Sequence, residues 1–207
     1  MRPTDSVLDM GCGVGRVALP LTVYLKGRYE GLDVVPAGIK WCQENIRVPG
    51  FNFTLADIFN AKYNPDGTML ASEFRFPYED ASFDFAFLTS VFTHLLPDDV
   101  RRYSSELGRV LRLEGRVMIS AFLLNDHSLG VLERGEVLFG YTFSHDHGIF
   151  RASEPAPEEG LAYMEDWFVG VLENSGLGVE HIHYGRWANR QTANKDYQDA
   201  VLARRVE

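Results

Sequence analysis

Residues 7–16, Val-Leu-Asp-Met-Gly-Cys-Gly-Val-Gly-Arg, constrain the fold of this chain more than any other stretch. A short apolar run leads into glycines at three alternate positions, and residues 17–25 follow with apolar side chains at helical spacing. Glycine is needed where the backbone takes a positive φ, or where a ligand comes so close that a Cβ atom would collide with it. A helix behind the turn offers unpaired N–H groups and the positive end of its dipole. The stretch therefore predicts a strand, a tight turn and a helix that together hold a nucleotide.

Two nucleotide cofactors are compatible with this turn. Residues 13–18 match the G-x-G-x-x-A dinucleotide fingerprint, and Asp33 lies about as far along as the ribose-binding acid of that fingerprint. Asp9, however, precedes the first glycine, and its carboxylate would repel a pyrophosphate but would suit a ligand that carries an ammonium group. The pattern Asp-x-Gly-x-Gly-x-Gly resembles motif I of the S-adenosylmethionine-dependent methyltransferases with a Rossmann-like fold. The favoured cofactor is therefore S-adenosyl-L-methionine, with S-adenosyl-L-homocysteine as product, and an NAD-dependent oxidoreductase is the alternative.

The resemblance extends over about the first 120 residues. Residues 76–84, 90–95 and 106–116 look like the later blocks of bacterial methyltransferase domains, in the same order. Glu114 departs from the family, which usually has proline before this glycine, and the departure affects only a turn. The resemblance implies one three-layer α/β domain over residues 1–207, with a mostly parallel seven-stranded sheet in the order 3-2-1-4-5-7-6 and one antiparallel strand.

Acidic residues in or just after predicted strands are the main candidates for cofactor contacts, because ligands bind at the carboxyl ends of parallel strands. In the methyltransferase pattern Asp9 and the glycines would hold the methionine end, Asp33 the ribose and Asp57 the adenine amino group. The alternatives are that Asp33 caps the next helix and that Asp57 is a solvated loop acid. The predicted cofactor-binding residues are Asp9, Gly11, Cys12, Gly13, Gly15, Asp33, Val34, Asp57, Ile58, Thr89 and Ser90.

A general base is needed for methyl transfer when the acceptor is a hydroxyl or a phenol. His94 is the leading candidate for a catalytic residue, because it follows the predicted central strand and imidazole titrates near working pH. The alternative is a histidine packed at the entry of a helix. His127, His145 and His147 are further candidates. No metal ion is expected, because the His-x-His segment at 145–147 lacks the additional ligands that a metal site needs.

Residues 124–160 lack clear periodicity although they contain several aromatic side chains. Long irregular stretches inside a compact domain are usually functional or disordered. We therefore predict a lid or substrate insertion here, which together with residues 60–76 covers an apolar acceptor pocket. Residues 154–159 have the composition of an exposed hinge, and residues 161–174 predict a helix.

Charge and composition limit the partners of the chain. A net charge of −9 argues against nucleic acid, whose phosphates need clustered Lys and Arg. Neither a signal peptide nor an apolar run of transmembrane length is recognised, and two cysteines make no disulfide framework, so a cytoplasmic protein without a membrane partner is expected. The acceptor is expected to be a small molecule. The oligomeric state stays open, with a homodimer as one option, and a non-catalytic S-adenosylmethionine-binding module is a further hypothesis.

Overall fold

The computed structural model describes residues 1–137, 144–146, 149–151, 160–191 and 196–207, with the backbone alone for residues 144–146 and 149–151. In this part of the chain the strands are β1 (Val7–Met10), β2 (Tyr29–Asp33), β3 (Phe51–Leu55), β4 (Phe83–Leu88), β5 (Leu111–Leu124), β6 (Ser144–Asp146), β7 (Ile149–Arg151), β8 (Leu161–Met164), β9 (Leu177–His183) and β10 (Asp199–Arg205). The α-helices are α1 (Ala18–Leu21), α2 (Pro36–Asn45), α3 (Pro97–Val110), α4 (Asp126–Glu133) and α5 (Glu165–Glu173). Two 3₁₀ turns span Ala71–Glu73 and Phe92–His94.

The strands form one mixed sheet. β3, β2, β1, β4 and β5 lie side by side in that order and run parallel. β10 pairs antiparallel with β5, and β9 pairs antiparallel with β10. When β9 and β10 are counted as the sixth and seventh strands, this is the order 3-2-1-4-5-7-6 with one antiparallel strand. The predicted fold class is confirmed.

β8 adds a strand that the sequence did not predict. It pairs in parallel with the last residues of β5, and β7 and β6 follow it as antiparallel neighbours. The prediction of a single helix over residues 161–174 is therefore wrong for its first turn, and α5 begins only at Glu165. A short apolar run fits a buried strand and a buried helix equally well. The last residues of β5 have a free edge, and pairing with this edge makes residues 161–164 a strand.

Two helices, α1 and α4, differ from what the sequence predicted for their segments. α1 is shorter than the predicted segment 17–25, because the N–H group of Thr22 bonds to two successive carbonyls and closes the helix with a tight turn. α4 lies inside the predicted lid and is capped by Asn125, whose side chain accepts a hydrogen bond from Ser128 N–H. Residues 138–143, 147–148 and 152–159 of the predicted lid, including the predicted hinge, lie outside the described residues.

Helices cover both faces of the sheet and make the fold three-layered. α3 and α5 bury one face in a core that includes Leu88, Leu107 and Phe168, and α2 buries the other face around Tyr29 and Ile39. All four residues of β1 are buried, which is typical of a central parallel strand. The glycine turn after β1 therefore lies at the middle of the carboxyl edge of the sheet. Among the described helices, none has the length and apolar character that a membrane crossing requires.

Asp199, the first residue of β10, ties three segments together. Its carboxylate is buried and accepts hydrogen bonds from Leu123 N–H at 2.9 Å, Gly185 N–H at 2.8 Å and Trp187 Nε1 at 2.8 Å. Asparagine would offer one acceptor oxygen to three donors, so we expect Asp199→Asn to lower the free energy of unfolding by about 2–3 kcal/mol. Urea denaturation measures this, with exposed Asp126→Asn as the control. Equal midpoints for Asp199→Asn and wild type would contradict the prediction.

Candidate functional site

The glycine turn after β1 has packed positions and one open position. Gly11, Gly13 and Gly15 have positive φ angles of 82°, 54° and 72°. A Cβ atom on Gly11 would collide with Val91, and one on Gly15 would lie 2.7 Å from Ile46 Cδ1. A Cβ atom on Gly13 would meet no heavy atom within 4 Å. Gly13 therefore presents bare backbone to open space. Gly11 and Gly15, in contrast, are glycine because other side chains pack closely against them.

A cavity of about 350 Å³ opens over this turn, at the carboxyl ends of β1, β2 and β4. Its volume is in the range of small-molecule sites. Most of the predicted site residues line it, namely Gly11, Gly13, Asp33, Val34, Ile58, Thr89, Ser90 and His94. The other predicted residues, Asp9, Cys12, Gly15 and Asp57, are not part of the lining. The structure thus brings the ends of three neighbouring strands together around one cavity.

Asp33 ends β2 at the wall of the cavity. One carboxylate oxygen accepts a hydrogen bond from Gly13 N–H at 2.7 Å, and the other accepts one from Val35 N–H at 2.8 Å. The first bond ties the glycine turn to β2, and the second holds the residue that precedes α2. A carboxylate has about four acceptor positions, so two remain for hydroxyl groups of a ligand. The geometry is compatible with both roles that the sequence left open for Asp33.

Asp9 lies beneath the glycine turn. Its side chain is only 2% exposed and accepts a hydrogen bond from the hydroxyl of Tyr29. Burial raises the pKa of Asp9 to about 7; the hydrogen bond from Tyr29 lowers it, and the charge of Asp33 raises it further. Asp9 is therefore buried beneath the turn and is not part of the cavity lining.

The two cysteines support the turn from below. Cys12 is buried beside Gly31, where a Cβ atom would come within 3.0 Å of the sulfur. Burial and the nearby carboxylates raise the pKa of the Cys12 thiol, so the sulfur stays protonated. The thiol of Cys42 donates a weak hydrogen bond to the carbonyl oxygen of Gly13, at 3.6 Å. Both thiols therefore have packing roles in this structure.

Asp57 and Ile58, which are adjacent in sequence, have different surroundings. Ile58 is buried and lines the cavity. Asp57 is exposed, and its two oxygens accept hydrogen bonds from the N–H group of Thr68 at 3.2 Å and from its hydroxyl at 2.5 Å. The Asp57 carboxylate therefore fastens the loop between residues 57 and 69.

Ser90 follows β4 at the rim of the cavity in a strained conformation. Its φ angle is 59°, a value that residues other than glycine adopt rarely and that often occurs at functional sites. The hydroxyl oxygen of Ser120 accepts a hydrogen bond from Ser90 N–H at 2.7 Å. Gln198 Oε1 accepts from the hydroxyls of Ser90 at 3.1 Å and Ser120 at 2.6 Å. Residues of β5 and of the segment before β10 thereby hold Ser90 in place.

His94 ends the 3₁₀ turn after β4 and lines the cavity. The edge of one ring meets the face of the other between His94 and Tyr63, with 5.7 Å between the ring centroids, and Tyr63 lines the cavity too. An imidazole and a phenol therefore share one wall. His127 lies elsewhere, with Nε2 at 3.0 Å from the carbonyl oxygen of Ala188. The side chain of His145 and the whole of His147 lie outside the described residues.

Sequence reasoning missed four polar or aromatic residues of the lining, namely Arg16, Asn60, Asp99 and Tyr103. Asp99 and Tyr103 lie one turn apart on α3, where they could be explained as a helix-start acid and a core residue. Burial raises the pKa of the Tyr103 phenol, and the charges of Asp99 and Asp33 raise it further. The spacing of Asp99 and Tyr103 could have shown that they lie together, since residues four apart share one helix face.

The family match covers the region that carries the cavity. Residues 8–119 match the family described as a methyltransferase domain. The phthiotriol/phenolphthiotriol dimycocerosates methyltransferase of Mycobacterium tuberculosis is 36% identical to this chain over 110 residues, which make up 53% of this chain and 34% of that protein. The matched segment thus spans about a third of the length of this curated relative.

Solved structures share the fold at low sequence identity. A SAM-dependent methyltransferase from Methanosarcina mazei gives a TM-score of 0.68 at 23% identity, over 100% of this chain and 94% of that one. The 1,6-didemethyltoxoflavin-N1-methyltransferase of Burkholderia thailandensis, solved with 1,6-didemethyltoxoflavin and S-adenosylhomocysteine, gives 0.62 at 18% identity, over 100% and 72%. Because the family match covers more than half of the chain and the predicted sheet order is present, this chain belongs to the methyltransferase-domain family of Rossmann-like, S-adenosylmethionine-dependent enzymes.

Proposed function

We propose that this chain binds S-adenosylmethionine in the cavity above the glycine turn and that the methyl group is transferred there to a small organic acceptor. The observation that carries the proposal is the bare backbone of Gly13, joined by a hydrogen bond to Asp33 on the wall of the cavity. The site fits a nucleoside, because Gly13 leaves room where a Cβ atom would stand and Asp33 keeps acceptor positions for ribose hydroxyls. When bound, the cofactor supplies a methyl group on a positively charged sulfonium.

The charges around the cavity suit a cationic ligand. Asp33 and Asp99 line the cavity, and Asp9 lies beneath its floor. Attraction between opposite charges is stronger in a partly desolvated cavity than in bulk water. Arg16 lines the same cavity and offers a guanidinium to the carboxylate of the methionine end. The guanidinium of Arg16 therefore suits the carboxylate of the methionine end. The acids suit its ammonium group and the positively charged sulfonium.

Methyl transfer is an in-line displacement, so the main task of the protein is to hold the acceptor in line and to exclude water. Apolar side chains such as Leu32, Ile58 and Leu95 contribute to the lining and keep it dry. For a hydroxyl or phenol acceptor, we propose that His94 takes the proton, with its ring oriented by Tyr63. An acceptor that is already a strong nucleophile needs no base.

The class of acceptor is proposed from the lining and from the relatives. The cavity wall combines apolar side chains with the rings of Tyr63 and Phe59, which suits a flat or apolar organic molecule. The two similar proteins described above carry phthiotriol/phenolphthiotriol dimycocerosates and 1,6-didemethyltoxoflavin in their names, and both are organic molecules. The net charge of −9 supports an acceptor other than nucleic acid.

Calorimetric titration with S-adenosylhomocysteine, with NAD as a parallel control, tests the proposal. We expect binding of S-adenosylhomocysteine at micromolar concentration and no binding of NAD. Binding of NAD alone would favour an oxidoreductase. Transfer of a labelled methyl group to a panel of phenols, amines and carboxylic acids then tests catalysis, and cofactor binding without transfer to any member would favour a non-catalytic binding module.

A further inference from the structure

We propose that the side-chain amide of Gln198 binds a carbonyl oxygen of the methyl acceptor and thereby selects acceptors that carry one. The inference rests on the proposed function and names a residue that determines its specificity. Gln198 is the last residue before β10, the strand that pairs with β5. Its side chain contacts Ser90, which follows β4 and lines the cavity. Gln198 therefore reaches the rim of the cavity from the side of β5 and β10.

Hydrogen bonds fix which way the Gln198 amide faces. Ser120 Oγ accepts a hydrogen bond from Ser90 N–H at 2.7 Å and donates its own proton to Gln198 Oε1 at 2.6 Å. Ser90 Oγ donates to the same amide oxygen at 3.1 Å. If the amide were turned the other way, both hydroxyls would lose this acceptor, which is costly for the buried Ser120. The amide oxygen therefore faces the two serines, and the NH₂ group faces away from them.

The NH₂ group of Gln198 keeps both of its N–H donors for a ligand. In the described part of the chain no acceptor bonds to Nε2, although the residue is half-buried. Nε2 is also not one of the fully enclosed polar atoms without a partner, so a ligand can reach it. The acids that line the cavity, Asp33 and Asp99, disfavour an anionic group on the acceptor. The neutral carbonyl oxygen of a ketone, ester or amide therefore fits these donors best.

Contacts along the sheet place Gln198 across the cavity from Asp33. Val91 packs so closely on the glycine turn that a Cβ atom on Gly11 would lie 2.4 Å from Val91 Cγ2. Ser90, the residue before Val91, is therefore beside this turn, and Gln198 lies beyond it toward β5. β2 and β5 are three strand positions apart in the sheet, which is about 14 Å at the usual strand spacing. A nucleoside held by its ribose at Asp33 thus leaves the Gln198 end of the cavity to the acceptor.

The backbone around Gln198 is fixed, so its donor group is already in place before a ligand binds. Trp187 N–H bonds to the carbonyl oxygen of Tyr197 at 3.0 Å. The buried carboxylate of Asp199 accepts hydrogen bonds from three different residues. A Cβ atom on Gly185 would lie 2.3 Å from the carbonyl oxygens of both Tyr197 and Gln198, so the two segments pack closely. A preorganised donor loses little conformational freedom on binding.

Two phenols that differ by one carbonyl oxygen test the inference. 3-Hydroxyacetophenone has a carbonyl group where 3-ethylphenol has a methylene group, and both are flat rings with a hydroxyl. In calorimetry on protein saturated with S-adenosylhomocysteine, we expect wild type to prefer 3-hydroxyacetophenone by about 10-fold. Gln198→Glu keeps an acceptor oxygen for both serines but replaces the NH₂ group by an anionic oxygen, which repels a carbonyl. This variant should lose or reverse the preference. The matched control Gln191→Glu adds the same charge at an exposed position between β9 and β10, and it should keep the preference.

The outcomes separate this inference from the proposed function. If S-adenosylhomocysteine binds but wild type binds neither phenol, or both equally, the cofactor site stands and the assignment to Gln198 is overturned. A preference that survives in Gln198→Glu overturns it as well. If S-adenosylhomocysteine does not bind, the proposed function fails, and the inference fails with it. Should Gln198→Glu not fold, a crystal structure of wild type with S-adenosylhomocysteine and 3-hydroxyacetophenone decides. The carbonyl oxygen is expected within about 3.2 Å of Gln198 Nε2, and a carbonyl oxygen bound to another donor would overturn the inference.

Discussion

Asp33→Ala is expected to weaken the binding of S-adenosylhomocysteine by about 30- to 150-fold, or by about 2–3 kcal/mol. The carboxylate is the proposed acceptor for the ribose hydroxyls, and hydrogen bonds to a charged acceptor are among the strong ones. The same carboxylate also holds Gly13 N–H and Val35 N–H. Its removal therefore loosens the glycine turn in addition to removing the ribose contact. Calorimetry measures the loss, and unchanged affinity would remove Asp33 from the site.

A modified ligand separates the two contributions of Asp33. An S-adenosylhomocysteine analogue without the 2′-hydroxyl lacks one ribose contact but leaves the turn intact. If Asp33 binds the ribose, wild type discriminates between the two ligands and Asp33→Ala does not, and the difference is the coupling free energy of a double-mutant cycle. Glu30→Gln is the matched control, because Glu30 lies on the same strand, contacts Asn52 and is not part of the cavity lining. Equal discrimination by both proteins would assign Asp33 to the turn alone.

The sheet order was implied by the resemblance to methyltransferase domains, which the glycine turn and the later sequence blocks carry. The residues did not predict which way each acid faces. Asp9 lies in a strand buried on both faces, so the alternation that separates inward from outward positions was missing. The position of Asp33 at the cavity was easier to predict. It is the last residue of β2, and ligands bind at the carboxyl ends of parallel strands.

Long-range packing explains the other differences. Asp99 could be recognised as a residue of the cavity only once the first turn of α3 was placed beside the 3₁₀ turn Ala71–Glu73. Asp57 fits the family pattern, but its contact with Thr68 depends on the fold of the loop that follows it. β8 exists because the end of β5 extends beyond β10 and leaves an edge to pair with. None of these arrangements leaves a periodic signal in the sequence.

Asp9→Asn is expected to stabilise the protein, and to do so more strongly at higher pH. Burial holds the pKa of Asp9 at about 7 in the folded protein, whereas the pKa of an aspartate in an unfolded chain is near 4. Below about pH 4 the group is protonated in both states, so it imposes no penalty. Between about pH 4 and pH 7 the folded state binds the extra proton, and stability falls by about 1.4 kcal/mol for each pH unit of rise. Above about pH 7 the penalty reaches its full size of about 4 kcal/mol.

Urea denaturation at two pH values measures this penalty. The gain in unfolding free energy of Asp9→Asn over wild type should be about 2–3 kcal/mol larger near pH 8 than near pH 5. Tyr29→Phe should instead lower the free energy of unfolding near pH 8, because it removes the hydrogen bond that lowers the pKa of Asp9. The phenylalanine ring can still stack on Phe51. A gain independent of pH would mean that Asp9 does not titrate between these values in the folded protein.

A residue that costs stability is retained where its charge has a use. Asp9→Asn should therefore weaken the binding of cationic S-adenosylmethionine more than that of S-adenosylhomocysteine, which lacks the sulfonium charge.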